Sequence, residues 1–121
     1  KEALRISAAD AIAHKVMGKV ALKKSQYQQA LQALRQAKIL KPTDVETRFY
    51  LAKSYYYLNQ YDLAQAELVK VLKVKEDNPL ALLLLSRIYE KLGKMRLAED
   101  MLEKVEILDL PNIEQLKKEI D

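Results

Sequence analysis

Apolar residues recur along this chain at helical spacing, as in Leu51, Tyr55 and Leu58 and again in Leu68, Val71 and Leu72. The pattern itself repeats. The stretch NQYDLAQAE, Asn59 to Glu67, is echoed by SQYQQALQA from Ser25 and by GKMRLAEDM from Gly93, each displaced by 34 residues. The same offset aligns Ala30, Ala64 and Ala98; Gly18, Ala52 and Ser86; Met17, Leu51 and Leu85; and Leu34, Leu68 and Leu102. Columns that nearly keep one size class are what packing demands when like units sit in like environments.

Each unit divides into two helices. The breaks fall at Lys24 to Gln26, Leu58 to Gln60 and Leu92 to Lys94, too short for anything but an antiparallel hairpin. Between units, Thr43 and Glu46 have the spacing of a capping box, and Asn78-Pro79 pairs a capping side chain with proline at the first helical position. The chain is therefore expected to be one domain over 1–121, with repeats at about 10–42, 43–78 and 79–111. The tail NIEQLKKEID carries Ile113, Leu116 and Ile120 on one stripe and suits a polar-backed capping helix over about 112–121. The alternative is the start of a fourth repeat. Residues 1–9 extend the first helix backwards, with Leu4 and Ile6 as anchors.

The small residues at Gly18, Ala52 and Ser86 and at Ala30, Ala64 and Ala98, the 34-residue period and the proline at Pro42 resemble the tetratricopeptide repeat. The resemblance covers about residues 10 to 111. It implies an all-α fold, a right-handed superhelical solenoid of three antiparallel hairpins with a C-terminal capping helix. Departures are His14, Arg48 and Leu82, where the family has a bulky aromatic, and the displaced Pro79 and Pro111.

Composition agrees with helices: the 121 residues include two glycines and three prolines, and half are apolar, enough for a core. Absence of cysteine excludes disulfides and thiolate chemistry. The longest apolar run, Leu80 to Leu85, is far short of the ~20 residues a spanning helix needs. A soluble domain is expected, with the cytoplasm favoured over the periplasm. Net charge is +4, and residues 1–41 hold nine basic and two acidic side chains. That end is suited to steering an acidic partner, although nucleic-acid binders carry denser clusters than Lys15, Lys19, Lys23 and Lys24.

Chemistry has little to work with. His14 is the sole histidine and shares its column with Arg48 and Leu82, so packing explains it better than metal binding. Asp44, Glu46 and Asp77 stand at helix starts, where the backbone dipole favours them. Glu99, Asp100, Glu103 and Glu106 suit a solvated face. Met17, Met95 and Met101 fall on packing columns as gap fillers. No enzyme activity, cofactor or metal is expected.

What the resemblance implies about function is a concave wall, lined by the first helices, that receives a segment of a partner protein. Subtracting the packing columns leaves one stripe per first helix. These are Ile12, Lys15, Val16, Lys19 and Lys23; Glu46, Phe49, Tyr50, Lys53 and Tyr57; and Leu80, Leu83, Leu84, Arg87 and Lys91. Phe49, Tyr50, Leu80, Leu83 and Leu84 would form an apolar floor, crossed by Lys15, Lys19, Lys53 and Arg87. Alternatively, neighbouring helices cover Leu83 and Leu84. One subgroup of the family clamps a chaperone's C-terminal carboxylate through Lys and Asn in the first helix, Asn in the third and Lys and Arg in the fifth. Here those places hold Lys15 and Lys19, Tyr50, and Leu80 and Leu84, so only Lys15 fits. The expected ligand bears apolar and some acidic side chains, as an amphipathic helix or extended segment. An assembly element whose groove is closed by a second copy is the alternative.

Overall fold

A computed structural model describes the backbone of residues 2–120 and the side chains of residues 8–120. Every regular element among them is an α-helix: α1 (Glu2–Lys23), α2 (Tyr27–Leu40), α3 (Val45–Tyr57), α4 (Tyr61–Val74), α5 (Pro79–Lys91), α6 (Met95–Leu108) and α7 (Ile113–Ile120). The anchors expected at Leu4 and Ile6 lie outside the described side chains, as does Asp121.

The three hairpins α1/α2, α3/α4 and α5/α6 are turned by one repeated device. Ser25, Asn59 and Gly93, spaced by the repeat length, all adopt left-handed backbone, with φ of 58°, 63° and 76°. The next amide in each copy reaches back over the turn: Gln26 N to Ala21 O at 2.9 Å, Gln60 N to Tyr55 O at 2.8 Å, and Lys94 N to Tyr89 O at 2.8 Å. Carbonyls orphaned at the end of each first helix are thereby satisfied. At the unit boundaries, Asn78 Oδ1 accepts from Ala81 N at 3.2 Å, with Pro79 opening α5 as expected. The other boundary differs from the expectation of a Thr43 cap. Asp44, which directly precedes the first helical residue, caps α3, accepting from Glu46 N at 3.1 Å and from Thr47 Oγ1 at 3.2 Å, and its carboxylate also pairs with Lys15.

The hairpins stack into a right-handed solenoid, α2 lying against α3 and α4 against α5. Leu34, Leu51, Leu68, Val71 and Leu84 are sealed within, together with the alanines Ala30, Ala52 and Ala64. Gly18 is buried at the crossing of α1 and α2, where a Cβ would collide with Leu34. Arg48 stands at a position where an aromatic was expected and is accommodated by charge. It donates to Glu67 at 2.9 Å, and Lys38 reaches the other oxygen of that buried carboxylate at 2.6 Å, so α2, α3 and α4 meet at one anion.

Two of the methionines expected as gap fillers are not in the core. Helices α3 and α5, which carry Leu51 and its column partner Leu85, lie against the second helix of the preceding hairpin, whereas α1 has no preceding hairpin among the described residues. Met17 is accordingly 57% exposed and Leu51 0%. Met95 likewise stands in solvent, and Met101 is partly buried against the core.

The helix α7 forms where the tail was expected to cap the stack, but its docking differs from a simple continuation. It packs on α5 rather than on α6. Its last carbonyls are received by α3, one hairpin further back: Lys53 Nζ donates to Glu119 O at 2.6 Å and Tyr57 Oη to Ile120 O at 2.9 Å.

Candidate functional site

The first helices α1, α3 and α5 border an open trough of about 560 Å³, lined by Lys19, Leu22, Lys23, Ser25, Tyr27, Phe49, Tyr50, Lys53, Tyr57, Leu80 and Glu119. Aromatic rings pack along it. Tyr27, at the start of α2, stacks on Tyr57 with ring centroids 4.8 Å apart, and Phe49 meets Tyr50 edge-on at 5.4 Å. Lys19, Lys23 and Lys53 share the lining, the last with its ammonium held by Glu119 O. Lys19 places its ammonium 5.2 Å from the centre of the Tyr50 ring, a cation–π contact that orients the side chain across the trough. Burial pushes the Lys53 ammonium below its ordinary pKa, with the nearby Glu119 charge acting in the opposite direction. Cations and partly buried aromatic rings thus share the lining, with the Glu119 carboxylate at its edge.

Of the residues expected on this wall, Lys19, Lys23, Phe49, Tyr50, Lys53, Tyr57 and Leu80 do line the trough. Phe49, Leu83 and Leu84 are buried, Leu84 completely, so they support the wall from beneath and do not offer an apolar floor to a partner. Helix α5 is apolar nearly all round because α3, α4, α6 and α7 all pack on it. Lys15 is committed within the chain: its ammonium lies 2.9 Å from Asp44 and 2.6 Å from Glu46. Partial burial opposes its charge, but the bonds from those two carboxylates prevail and raise its pKa above the ordinary value. Glu46, at the foot of the α3 stripe, is the second partner in this cluster. Ile12 and Val16 are exposed on α1 and do not border the trough. Arg87 is partly buried. Lys91 borders a smaller hollow of about 290 Å³ with Tyr56, Tyr57, Asn59, Tyr61 and Ile120.

Sequence reasoning missed Leu22, Ser25, Tyr27 and Glu119. At the 34-residue offset Tyr27 aligns with Tyr61 and Met95, a column that packing alone explains, while nearby Ser25 belongs to the turn. Glu119 comes from a helix whose docking surface no spacing rule specifies. Among the described residues there is no cluster of side chains able to hold a metal ion, and no helix is long and apolar enough to cross a membrane.

The fold is shared with solved structures at low sequence identity. The CopN–Scc3 complex contains a chain matching with TM-score 0.81 and 21% identity, over 96% of this chain and 69% of that one. The second TPR domain of Spaghetti (RPAP3), bound to the HSP90 peptide SRMEEVD, matches with TM-score 0.80 and 19% identity, over 89% of this chain and 99% of that one. PcrH in complex with the chaperone-binding region of PopB matches with TM-score 0.79 and 15% identity, over 91% and 90%. No curated protein matches the sequence. A family profile described as anaphase-promoting complex, cyclosome, subunit 3 covers residues 36–105, more than half of the chain, which accordingly belongs to that family of tetratricopeptide-repeat proteins.

Proposed function

We propose that this chain is a non-catalytic protein–protein interaction module that receives a segment of a partner protein in the trough between α1 and α3. The observation that carries this reading is the grouping of Lys19 and Lys23, with Lys53 held by Glu119 O beside them, around the rings of Tyr27, Tyr50 and Tyr57 in one open trough. Cations beside aromatic rings favour a ligand that combines acidic and apolar side chains, and a trough of this size gives affinity on the order of micromolar. Structural neighbours whose own complexes contain peptide or protein segments support the same use of the fold.

Selection from a random peptide library tests the reading. The wild-type chain should enrich sequences that combine aspartate or glutamate with large apolar residues, and a Lys19→Ala, Tyr50→Ala variant that remains helical should enrich none of them. Equal enrichment by both proteins would refute the site. A second reading, an assembly element, is favoured by Ile12, Val16, Met17 and Val20, which stand exposed along α1. Light scattering across a concentration series decides it: a dimer that dissociates in a Met17→Lys, Val20→Lys variant supports assembly through α1, and a monomer throughout eliminates it.

A further inference from the structure

Among the described residues, helix α7 is the element whose placement the repeat does not dictate. A helix that continued the array would stand beside α5 and α6, two helices away from α3. Instead α7 leans on α5 and ends against α3, and the ammonium of Lys53 and the hydroxyl of Tyr57 hold its final carbonyls. Both side chains also line the trough. The C-terminal end of a helix carries partial negative charge, so an ammonium and a hydroxyl donor are the groups that suit it.

The attachment is narrow. Ile113, Leu116 and Ile120 form the whole apolar contact, and only Ile120 is fully buried, at 1% exposure. The ion pair of Lys117 with Glu114 at 3.8 Å lies within α7 and adds nothing to the docking. Beside the helix, a hollow of about 310 Å³ separates Ile113 and Lys117 from Leu102 and Val105 of α6. Eight residues do not hold a helix alone in water, so α7 folds only while it is docked.

We propose that α7 is an exchangeable ligand of its own concave face, and that the partner segment which displaces it has the same chemistry. That segment is an amphipathic helix with apolar side chains at i, i+3 and i+7, whose last main-chain carbonyls are taken by Lys53 and Tyr57. The proposal rests on the partner-binding reading of the trough and extends it along α3 to α5. Before the partner binds, the α5 end is filled by α7, while the end at Lys19 and Lys23 is open to make the first contact.

The test uses a fluorescein-labelled peptide of residues 111–121 as probe, with the full chain and a Leu116→Asp, Ile120→Asp variant that releases α7. Fluorescence anisotropy should show the released variant binding the probe at least tenfold more tightly than wild type. Adding Lys53→Ala and Tyr57→Phe to the released variant should remove most of that binding. Equal affinity for wild type and released variant overturns the proposal, as does no binding to a released variant that keeps its helices by circular dichroism. A released variant that unfolds also overturns it, since α7 is then a structural cap. In wild type, the amides of Leu116 to Ile120 should exchange hydrogen at least a hundredfold faster than those of Leu84 and Leu85, and equal rates would count against exchange. Library peptides that still bind at Lys19 and Tyr50 after the probe has failed would leave the partner-binding reading intact and reject only the role of α7.

Discussion

Gly18 shows how one missing methyl group sets the distance between two helices. Its column partners are Ala52 and Ser86, yet at Gly18 the Leu34 side chain occupies the place a Cβ would take. Alanine would raise helix propensity by about 1 kcal/mol but overpack a buried crossing at a cost of about 1–3 kcal/mol. Gly18→Ala should therefore lower stability by about 1 kcal/mol net, measured by urea denaturation; a gain would mean that Leu34 moves freely. The Met17 and Leu51 column makes a matched pair of tests. Leu51→Ala is expected to cost about 2–5 kcal/mol as a sealed cavity opens, and Met17→Ala less than about 0.5 kcal/mol because the side chain is in water. Asp44 contributes to the pH dependence. Partial burial pushes its pKa up, but the bond and charge of Lys15, with the bonds from Thr47 and the Glu46 amide, hold it below the ordinary carboxylate value. A depressed folded pKa contributes stability that is fully present above the unfolded value of about 3.9 and lost as pH falls through the folded pKa. Denaturation midpoints should thus fall on acidification more steeply in wild type than in Asp44→Asn, and parallel curves would show that the Lys15 pair contributes nothing.

The elements divide into those whose arrangement is written in local chemistry and those that depend on distant surfaces. Hairpin breaks were legible because only a short polar turn fits between two apolar stripes, and the structure places the left-handed residues Ser25, Asn59 and Gly93 within those breaks. An L-residue in that conformation costs about 1 kcal/mol relative to glycine. Ser25→Gly should raise the denaturation midpoint accordingly. Asn59→Gly should gain less, because Asn59 Oδ1 accepts from the Tyr61 hydroxyl at 2.9 Å and that bond would be lost. Helix α7 was legible as a helix with one apolar stripe, but Ile113, Leu116 and Ile120 do not specify which surface they meet. For the same reason the stripes on α1, α3 and α5 gave the trough only in part. Spacing identifies a face, whereas the burial of Leu83 and Leu84 follows from how α7 and the neighbouring helices close over α5, and the loss of Lys15 follows from Asp44 standing opposite it.

Over the whole molecule, stacking three like hairpins buries the shared columns and leaves a curved wall whose two ends differ. The α1 end is open and basic, while the α5 end is covered by the chain's own last helix. Under the proposed function, charge would steer an acidic segment toward Lys19 and Lys23, and the aromatic rings would hold it there. This asymmetry belongs to no single repeat, and it gives the trough a direction. The most direct measurement is an NMR chemical-shift map of the isotopically labelled chain titrated with a library-selected acidic peptide. The account predicts that the largest shifts fall on Lys19, Lys23, Tyr27, Tyr50 and Lys53, and that affinity drops at least tenfold in Lys19→Ala, Tyr50→Ala. Shifts confined to the outer surfaces of α2, α4 and α6, with affinity unchanged in that variant, would contradict it.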